Sequence, residues 1–386
     1  MVRVLIKPVS KTRFRGSGTF EPTVRGPFTY AETLPYPLPS TITGVLASKQ
    51  YIKQLEKQLE VYDLLKELFK KLQCKFVNQL TVRPGYITVK KLNSSREEYY
   101  VALGEYYIKY EFIEKILTKV LNPYFNVLTE LIKGNSSKAD QILENLSNEI
   151  TKILSDEINV RKYSTLTRIG IGLERGVKVT KTGYIYSASD LDLYSIFINP
   201  CRNEYVEEVA IAAEVLGVEC NEAMRECFTA RFAGEGYPAE VIADPQNIIM
   251  DKLEDKEQCL ALIQLTPIII QKDLRYLAKE YTPWTFKKII EQMLDKIAEV
   301  YLVTGELAPL FKAELDVLIP GYSLKDDKYR DPELAIKGNT LTIARGNPRE
   351  IYYKGLGEKS ELGWGTILPI PVKDSICDKA AELAKL

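Results

Sequence analysis

One strand in the middle of the chain restricts the fold more than any other stretch. Ile169, Ile171 and Leu173 alternate with Gly170 and Gly172, and this period of two predicts a β-strand with one apolar face. Glycine weakens a strand and usually marks a bulge or a close approach of other backbone. The glycine-lined face therefore predicts a strand against which a ligand or another chain segment can lie closely.

Basic residues surround this strand on both sides. Arg168 and Arg175 flank the glycines, and Lys178 and Lys181 follow before a turn at Gly183. The pattern predicts a projecting basic β-hairpin in which a polyanion lies against bare backbone between two guanidinium groups. The alternative is an ordinary hairpin edge whose lysines protect it from aggregation.

A second basic segment follows the first predicted strand. Residues 11–30 are rich in Gly, Arg, Ser and Thr and have no helical periodicity, so we predict a loop. Backbone amides and arginines in such a loop can hold phosphates, although many basic loops are only solvated surface. Its candidate RNA-binding residues are Arg13, Arg15, Gly16, Ser17, Gly18 and Arg25.

The first predicted helix begins directly after a proline-rich stretch. Ser40 or Thr41 can cap its N-terminus, and apolar residues continue at helical spacing to Leu72. A helix N-terminus carries a partial positive charge, so Ser40 and Thr41 are further candidates for contact with a phosphate.

A glycine-rich segment near the C-terminus completes the set of candidates. Four glycines and two lysines within twelve residues suit close approach to phosphate or to another strand. The candidate residues are Lys354, Gly355, Gly357, Lys359, Gly363, Trp364 and Gly365.

These three segments carry a resemblance to a known family. The motifs R-x-R-G-x-G before L-P-x-P, R-x-G-I-G-L-[DE]-R before G-x-[IL]-Y, and the C-terminal glycine loop resemble those of the RAMP superfamily of CRISPR effector proteins. The resemblance implies an α+β fold of two ferredoxin-like (RRM-like) βαββαβ domains, with the glycine-rich loops at their junction.

We place the domains at residues 1–190 and 191–386. The first would contain the hairpin as a thumb and helical insertions at 111–158. In the second, we predict a strand at 194–198, a helix at 203–216, strands at 228–233 and 239–243, a helix at 246–257 and a strand at 260–270, which is a βαββαβ order. A helix at 284–301 and a last strand at 366–372 follow.

The resemblance also implies a function and partners. It points to a non-catalytic RNA-binding subunit of a type III-B (Cmr) effector complex, which holds the 5′ tag of the CRISPR RNA. Its partners would be that RNA, the target RNA, the large polymerase-like subunit and the backbone subunits, with no membrane and a cytoplasmic location.

Composition argues against several other classes of protein. The chain has no histidine, so the commonest general acid/base and metal ligand is missing, and it has no phosphate-loop motif. The six cysteines are scattered, which indicates buried thiols rather than a zinc site or a disulfide framework. We therefore expect no catalytic residues, no metal and no cofactor.

Two alternatives remain open from the sequence. The 24 tyrosines leave a metal-independent RNA endonuclease that uses Tyr and Lys as a rival hypothesis. Net charge is zero, but residues 201–260 hold 14 acidic and 5 basic residues, so we expect this acidic block to face a protein partner or solvent rather than RNA.

Overall fold

The computed structural model describes most of the chain. The described residues are 2–14, 30–31, 33–51, 60–92, 94, 96–173, 180–200, 204–221, 226–233, 237–244, 249–279, 283–295, 297–304, 306–307, 310–318, 322–323, 328–329, 333–337 and 339–385. They form a mixed α/β structure in which almost all neighbouring strands are antiparallel.

The strands, in chain order, are β1 Val2–Pro8, β2 Tyr30–Ala31, β3 Lys75–Lys91, β4 Glu97–Leu103, β5 Tyr106–Lys109, β6 Val160–Lys162, β7 Thr165–Leu173, β8 Thr180–Leu191, β9 Val206–Glu219, β10 Glu226–Phe232, β11 Tyr237–Asp244, β12 Gln258–Gln264, β13 Ile268–Ile269, β14 Ala298–Val303, β15 Glu306–Leu307, β16 Phe311–Lys312, β17 Glu314–Leu318, β18 Tyr322–Ser323, β19 Lys328–Tyr329, β20 Glu333–Lys337, β21 Leu341–Gly346 and β22 Ile367–Pro371.

The helices are α1 Pro39–Tyr51, α2 Val61–Lys71, α3 Tyr110–Ile132, α4 Ser136–Leu154, α5 Leu193–Phe197, α6 Ile249–Lys252, α7 Pro283–Met293, α8 Pro348–Lys354 and α9 Asp374–Leu383. Two 3₁₀ segments lie at Lys272–Lys279 and Ser360–Leu362.

An eight-stranded sheet forms the first structural unit. Its order is β10-β11-β1-β9-β3-β4-β5-β6, so β1 lies between β11 and β9. Strands β9, β10 and β11 follow residue 190 in the chain but lie in the same sheet as β1. The predicted domain boundary at 190/191 is therefore wrong, because it divides one sheet.

The most consequential error of sequence reasoning concerns β9. The segment 203–216 is expected to be a helix that ends at Gly217, yet it contains most of a central strand. Residues 209–218 of β9 are buried almost without interruption. A strand covered on both faces shows no alternation of polar and apolar residues, so its period cannot be recognised.

The two faces of this sheet pack against different partners. Val4 and its neighbours on one face pack with α1 and α2, for example against Ile42 and Leu65. Leu5 and Tyr86 on the other face belong to a second core that includes residues of α3, β12, β21, β22 and α9. The C-terminal half of the chain thus covers the face of the sheet opposite to α1 and α2.

A four-stranded antiparallel sheet forms the second unit. Its order is β14-β21-β12-β22, and its elements follow the chain as β12, α7, β14, β21, α8 and β22. The segment 284–301, which was predicted to be one helix, forms α7 in its first part and the start of β14 in its last part. The predicted strand at 194–198 is the helix α5 instead. The predicted helix at 246–257 shortens to α6, whereas the last strand is confirmed as β22.

The helical insertion is confirmed as the pair α3 and α4. An apolar stripe of α3, including Ile113, Leu117 and Val120, is buried. No helix among the described residues is long and apolar enough to cross a membrane.

Four of the five cysteines that the structure describes form disulfides, which contradicts the expectation of buried thiols. Cys74 pairs with Cys220 and Cys259 pairs with Cys377, over 146 and 118 residues of chain. Cys227 is free and exposed. Spacing could not reveal these pairs, because their members meet only after distant strands and helices have assembled.

Candidate nucleic-acid interface

A small separate sheet carries the predicted basic hairpin. Strands β7 and β8 pair antiparallel, with Gly170 opposite Tyr186 and Ile171 opposite Ile185, so the two paired strands are confirmed. The predicted turn at Gly183 is wrong, because Gly183 lies within β8. Strand β2 adds to β8 in parallel, and the order is β2-β8-β7. Arg168, Gly170 and Gly172 lie on β7, and Lys181 lies on β8.

Both ends of the first basic loop are attached to this same hairpin. Before the loop, the Thr12 amide donates to the Leu191 carbonyl oxygen at 2.9 Å, and the Leu191 amide donates to the Thr12 carbonyl oxygen at 2.7 Å. After the loop, Tyr30 pairs with Ser187. The chain therefore leaves and re-enters the described structure beside β8, although the two basic segments are about 150 residues apart in sequence.

Several predicted contact residues lie outside the described residues. They are Arg15, Gly16, Ser17, Gly18 and Arg25 of the first loop, and Arg175 and Lys178 between β7 and β8. Their attachment points are described, and these bring the two basic segments to one sheet.

Arg13 does not have the predicted role. Its side chain is 1% exposed, and its Nη2 lies 2.6 Å from Oδ1 of Asp190, which is also buried. Its Nε also donates to the Ser189 carbonyl oxygen at 3.2 Å. A guanidinium engaged in this way anchors the loop to β8 and is not available to a phosphate, so the prediction of an RNA contact for Arg13 is wrong.

Hydroxyl groups complete the anchor of the loop. The Phe14 amide donates to the Thr33 hydroxyl at 2.7 Å, and the Thr33 amide donates to the Ser189 hydroxyl at 2.9 Å. The Leu34 amide donates to the Phe14 carbonyl oxygen at 2.7 Å. This bond joins the two chain segments at the base of the loop.

The C-terminal glycines have the predicted backbone but a different neighbour. Gly355, Gly357, Gly363 and Gly365 all have positive φ. A Cβ on Gly365 would lie 1.9 Å from the Leu356 carbonyl oxygen, and one on Gly357 would lie 2.2 Å from that of Ile269. The close approach is therefore to the protein's own backbone rather than to RNA.

Trp364 is also unavailable as a base-stacking platform. It is 3% exposed and packs with Ile269 and Ala335. The RNA contacts predicted for Gly355, Gly357, Gly363, Trp364 and Gly365 are accordingly corrected to a structural role, whereas Lys354 and Lys359 are exposed.

Sequence reasoning missed the residue that holds this segment in place. Arg83 of β3 is fully buried, and its guanidinium donates to the carbonyl oxygens of Tyr352, Val82, Ser360 and Tyr353. Burial lowers its pKa to about 10, although the nearby Tyr352, Tyr353 and Glu361 act in the opposite direction. In the sequence, this role is indicated only by the position of a single arginine within the apolar strand TVRPGYITV.

Ser40 and Thr41 lie on a cleft that joins the two units. The cleft has a volume of 860 Å³, and its walls include the first turns of α1 and α2 together with Lys359 and Trp364. Two of the three predicted segments, the start of α1 and the C-terminal glycine segment, thus meet as expected for a junction.

The charge of this cleft does not favour phosphate. Lys359 Nζ lies 3.0 Å from Oε1 of Glu333, which Arg275 also contacts at 2.6 Å. Burial alone would raise the pKa of Glu333, but the hydrogen bonds from Lys359 and Arg275 lower it. Glu60, Asp63 and Glu361 add further negative charge, so the cleft is acidic.

Part of the acidic block is neutralised within the sheet. Lys7 Nζ lies 2.6 Å from Glu208, Lys90 lies 3.0 Å from Glu207, and Arg161 and Lys91 both contact Glu204. The charge of these three glutamates is thus balanced by residues of neighbouring strands.

Buried tyrosines are unsuited to proton transfer. Burial raises the pKa of Tyr86, Tyr107 and Tyr352 well above the ordinary value. A general acid or base works best when its pKa lies near the working pH. All three side chains belong to the core, and the hydroxyls of Tyr86 and Tyr107 donate to Glu214 and to the Pro35 carbonyl oxygen.

Comparison with known proteins gives one match in sequence. No family model matches the chain. It is 52% identical over 46 residues to the CRISPR system CMR subunit Cmr3 of Saccharolobus solfataricus, and these residues make up 12% of this chain and 15% of that protein.

Two of the solved structures that match this chain come from type III-B complexes. A chain of the Cmr-beta complex bound to cognate target RNA is 18% identical and has a TM-score of 0.49, with 88% of this chain and 86% of that chain covered. A chain of the same complex with target RNA and AMPPnP has a TM-score of 0.46 at 18% identity, with 91% and 87% covered. With its motifs and its sequence match, this chain resembles the RAMP proteins of CRISPR effectors and, among them, subunit three of the Cmr complex.

Proposed function

We propose that this chain is a non-catalytic RNA-binding subunit of the type III-B CRISPR (Cmr) effector complex. It holds the 5′ tag of the CRISPR RNA and bridges the large polymerase-like subunit to the backbone subunits. The observation that carries the proposal is the attachment of two basic glycine-containing segments, 15–29 and 174–179, to one three-stranded sheet.

This arrangement suits single-stranded RNA. Arginines and lysines from two loops can neutralise successive phosphates, and the glycines allow the RNA backbone to approach β7 closely. The buried Arg13–Asp190 pair fixes the base from which both segments extend. The retained contact residues are Arg15, Gly16, Ser17, Gly18, Arg25, Arg168, Gly170, Gly172, Arg175, Lys178 and Lys181.

We further infer that both units are variants of the ferredoxin-like arrangement. In the second unit, β12, α7, β14, β21, α8 and β22 follow the βαββαβ order with the two central strands β12 and β21 adjacent. In the first, β1, β3, β9 and β11 have the corresponding order β11-β1-β9-β3, and β10 stands between β9 and β11 in place of the second helix.

The rival function, a Tyr/Lys endonuclease, receives no support from the described residues. Its candidate tyrosines, Tyr30, Tyr184 and Tyr186, lie on β2 and β8, and their side chains are outside the part of the molecule that the structure describes. We therefore keep it only as an outcome of the test.

The test measures RNA binding by the reconstituted complex as a function of salt. Ala replaces Arg15, Arg25, Arg168 or Lys181, one at a time, and Lys133→Ala on the exposed end of α3 is the matched control. Each lost phosphate contact should lower the slope of log affinity against log salt by roughly 0.7 to 1, and the control should not change it. Unchanged slopes in all four variants would refute the interface, and site-specific cutting of repeat RNA by the pure chain in chelator would support the endonuclease.

A further inference from the structure

The acidic cleft is continuous with a part of β3 where extra residues form a bulge. Phe76 pairs with Val218 and the next pair is Thr81 with Leu216, so residues 77–80 stand opposite Gly217 alone. We call residues 76–80 the β3 bulge. Phe76 is 38% exposed and Val77 is 50% exposed, so the bulge presents two apolar side chains to solvent.

The bulge is held firmly in this position. The disulfide between Cys74 and Cys220 closes the end of the β3–β9 ribbon next to the pair Lys75 and Glu219. At the other side, the Tyr353 hydroxyl donates to the Gln79 carbonyl oxygen. A surface fixed in this way loses little conformational entropy when a partner binds.

Tyr62 connects the bulge with the cleft. It lines the cleft, and its hydroxyl is within hydrogen-bonding reach of the Gln79 side chain. The Lys66 ammonium group lies over the Tyr62 ring at 4.3 Å. The bulge and the cleft therefore form one continuous surface.

The carboxylates of this surface lack ion pairs among the described residues, although the charge of Glu361 acts on the buried Arg83. Glu60, Asp63 and Glu361 line the cleft, and none forms an ion pair with another described residue. Glu204, Glu207 and Glu208, in contrast, each pair with a basic residue. Because Lys359 is engaged by Glu333, the surface has a surplus of negative charge.

We infer that the cleft and the β3 bulge form a docking surface for a protein segment of the effector complex that carries lysines or arginines around an apolar side chain. The inference rests on the proposed function, since that function places partner subunits around this chain. An exposed apolar patch with a charged rim is typical of a protein interface. The three carboxylates would repel RNA phosphates and attract basic side chains, so charge complementarity favours protein over RNA.

The first experiment compares variants in assembly. Asp63→Lys with Glu361→Lys reverses the charge, and Phe76→Ser with Val77→Ser removes the apolar groups. The matched control, Leu143→Ser with Glu144→Lys on α4, changes a leucine of 39% exposure and an exposed glutamate. Titrated with the purified other subunits of the type III-B complex, both surface variants should assemble at least about tenfold more weakly, and the control should remain within about twofold.

The second experiment uses the unaltered protein. A carbodiimide joins carboxylates to lysines in direct contact, so the assembled complex should yield crosslinks from Glu60, Asp63 or Glu361 to a lysine of another subunit. Assembly unaffected by both surface variants, together with no such crosslink, would overturn the inference. Ultraviolet crosslinking of RNA to Tyr62 or Phe76 would also overturn it, by assigning the surface to RNA.

These results can be separated from the proposed function. If the surface variants assemble normally while Arg168→Ala still lowers the salt slope of RNA binding, the docking surface fails and RNA binding stands. If no basic variant affects RNA binding, the proposed function fails whatever the crosslinks show.

Discussion

Arg83 Nε donates a hydrogen bond to the Tyr352 carbonyl oxygen, 2.6 Å away, across the interface between the two units. Tyr352 and Tyr353 belong to the last turn of α8, where carbonyl groups lack partners within the helix. A cation at this end of a helix satisfies those carbonyls and interacts favourably with the helix dipole. Arg83 therefore joins the large sheet to the glycine segment that forms one wall of the cleft.

Arg83→Met should weaken the connection between the large sheet and the glycine segment. It removes the donor for several buried carbonyl oxygens, and we expect a loss on the order of 3 kcal/mol in the free energy of unfolding. Hydrogen exchange should also quicken at the amides of Gly355 and Gly365, which bond to Ile351 and Pro267. Arg83→Lys, which keeps the charge but fewer donors, should recover only part of the stability. Exchange rates that stay unchanged in Arg83→Met would show that the clamp is unnecessary.

Arg13→Ala should lower stability rather than act on RNA alone. It leaves Asp190 buried without its ionic partner, and breaking a buried pair costs about 3 to 5 kcal/mol. The control is Arg96→Ala, which breaks an exposed pair with Glu111 and should cost less than about 1 kcal/mol in a urea titration. A loss in Arg13→Ala no larger than in the control would contradict the anchoring role.

The sequence predicted the backbone of the C-terminal segment better than its surroundings. Positive φ at Gly355 and Gly357 follows from local composition, and the structure confirms it. The groups that approach these glycines come from Arg83 and Ile269, which are far away in the chain, so no local pattern identifies them. The pairing of the strands at 165–173 and 180–191 was predicted for the converse reason, since they are neighbours in the chain and a glycine-rich period marks the first of them. The turn was nevertheless placed too late, because Gly183 lies within β8. The helix expected at 203–216 failed because burial in the centre of a sheet overrides the preference of alanine and glutamate for helix.

Two glycine substitutions should have opposite effects. Gly365→Ala places a methyl group against the Leu356 carbonyl at a φ of +61°, so we expect destabilisation by more than about 2 kcal/mol. Gly44 lies within α1, and a Cβ added there would have no other atom within 4 Å. Gly44→Ala should therefore stabilise the protein by about 0.5 to 1 kcal/mol. Equal melting temperatures for the two variants would refute the packing described here.

The two disulfides should contribute measurably to stability. Each closes more than 100 residues of chain, and loss of such a cross-link costs about 2 to 4 kcal/mol, chiefly through the unfolded state. Cys74→Ser and Cys377→Ser should each lower the melting temperature, and a reductant should lower that of the unaltered protein. Cys227→Ser removes an exposed free thiol and should have no effect. Titration of three or more thiols in the oxidised, unfolded protein would contradict the pairing.

Alkaline pH should unfold the protein cooperatively. Burial raises the pKa of Tyr36, Tyr86, Tyr100, Tyr107 and Tyr352 in the folded state, whereas an unfolded tyrosine titrates near pH 10. Their contribution to stability is complete below about pH 10 and is lost as pH rises above it, by about 1.4 kcal/mol per pH unit for each tyrosine.

Arg83 acts in the opposite direction over the same range. Its pKa is lowered to about 10, so above that pH the unfolded state binds more protons at this residue and stability rises. The effect of one arginine cancels that of only one of the five tyrosines. The free energy of unfolding therefore still falls steeply as the pH rises above 10. Exposed tyrosines such as Tyr205 and Tyr276 should ionise gradually, whereas the buried ones should add a separate step in tyrosinate absorbance at 295 nm that coincides with loss of circular dichroism. Tyr107→Phe should make the fall in stability with pH shallower by one tyrosine, because its hydroxyl bonds only to the Pro35 carbonyl oxygen and does not titrate in the folded protein. Gradual ionisation of the buried tyrosines with the fold intact would show that they are accessible to hydroxide and would contradict their burial.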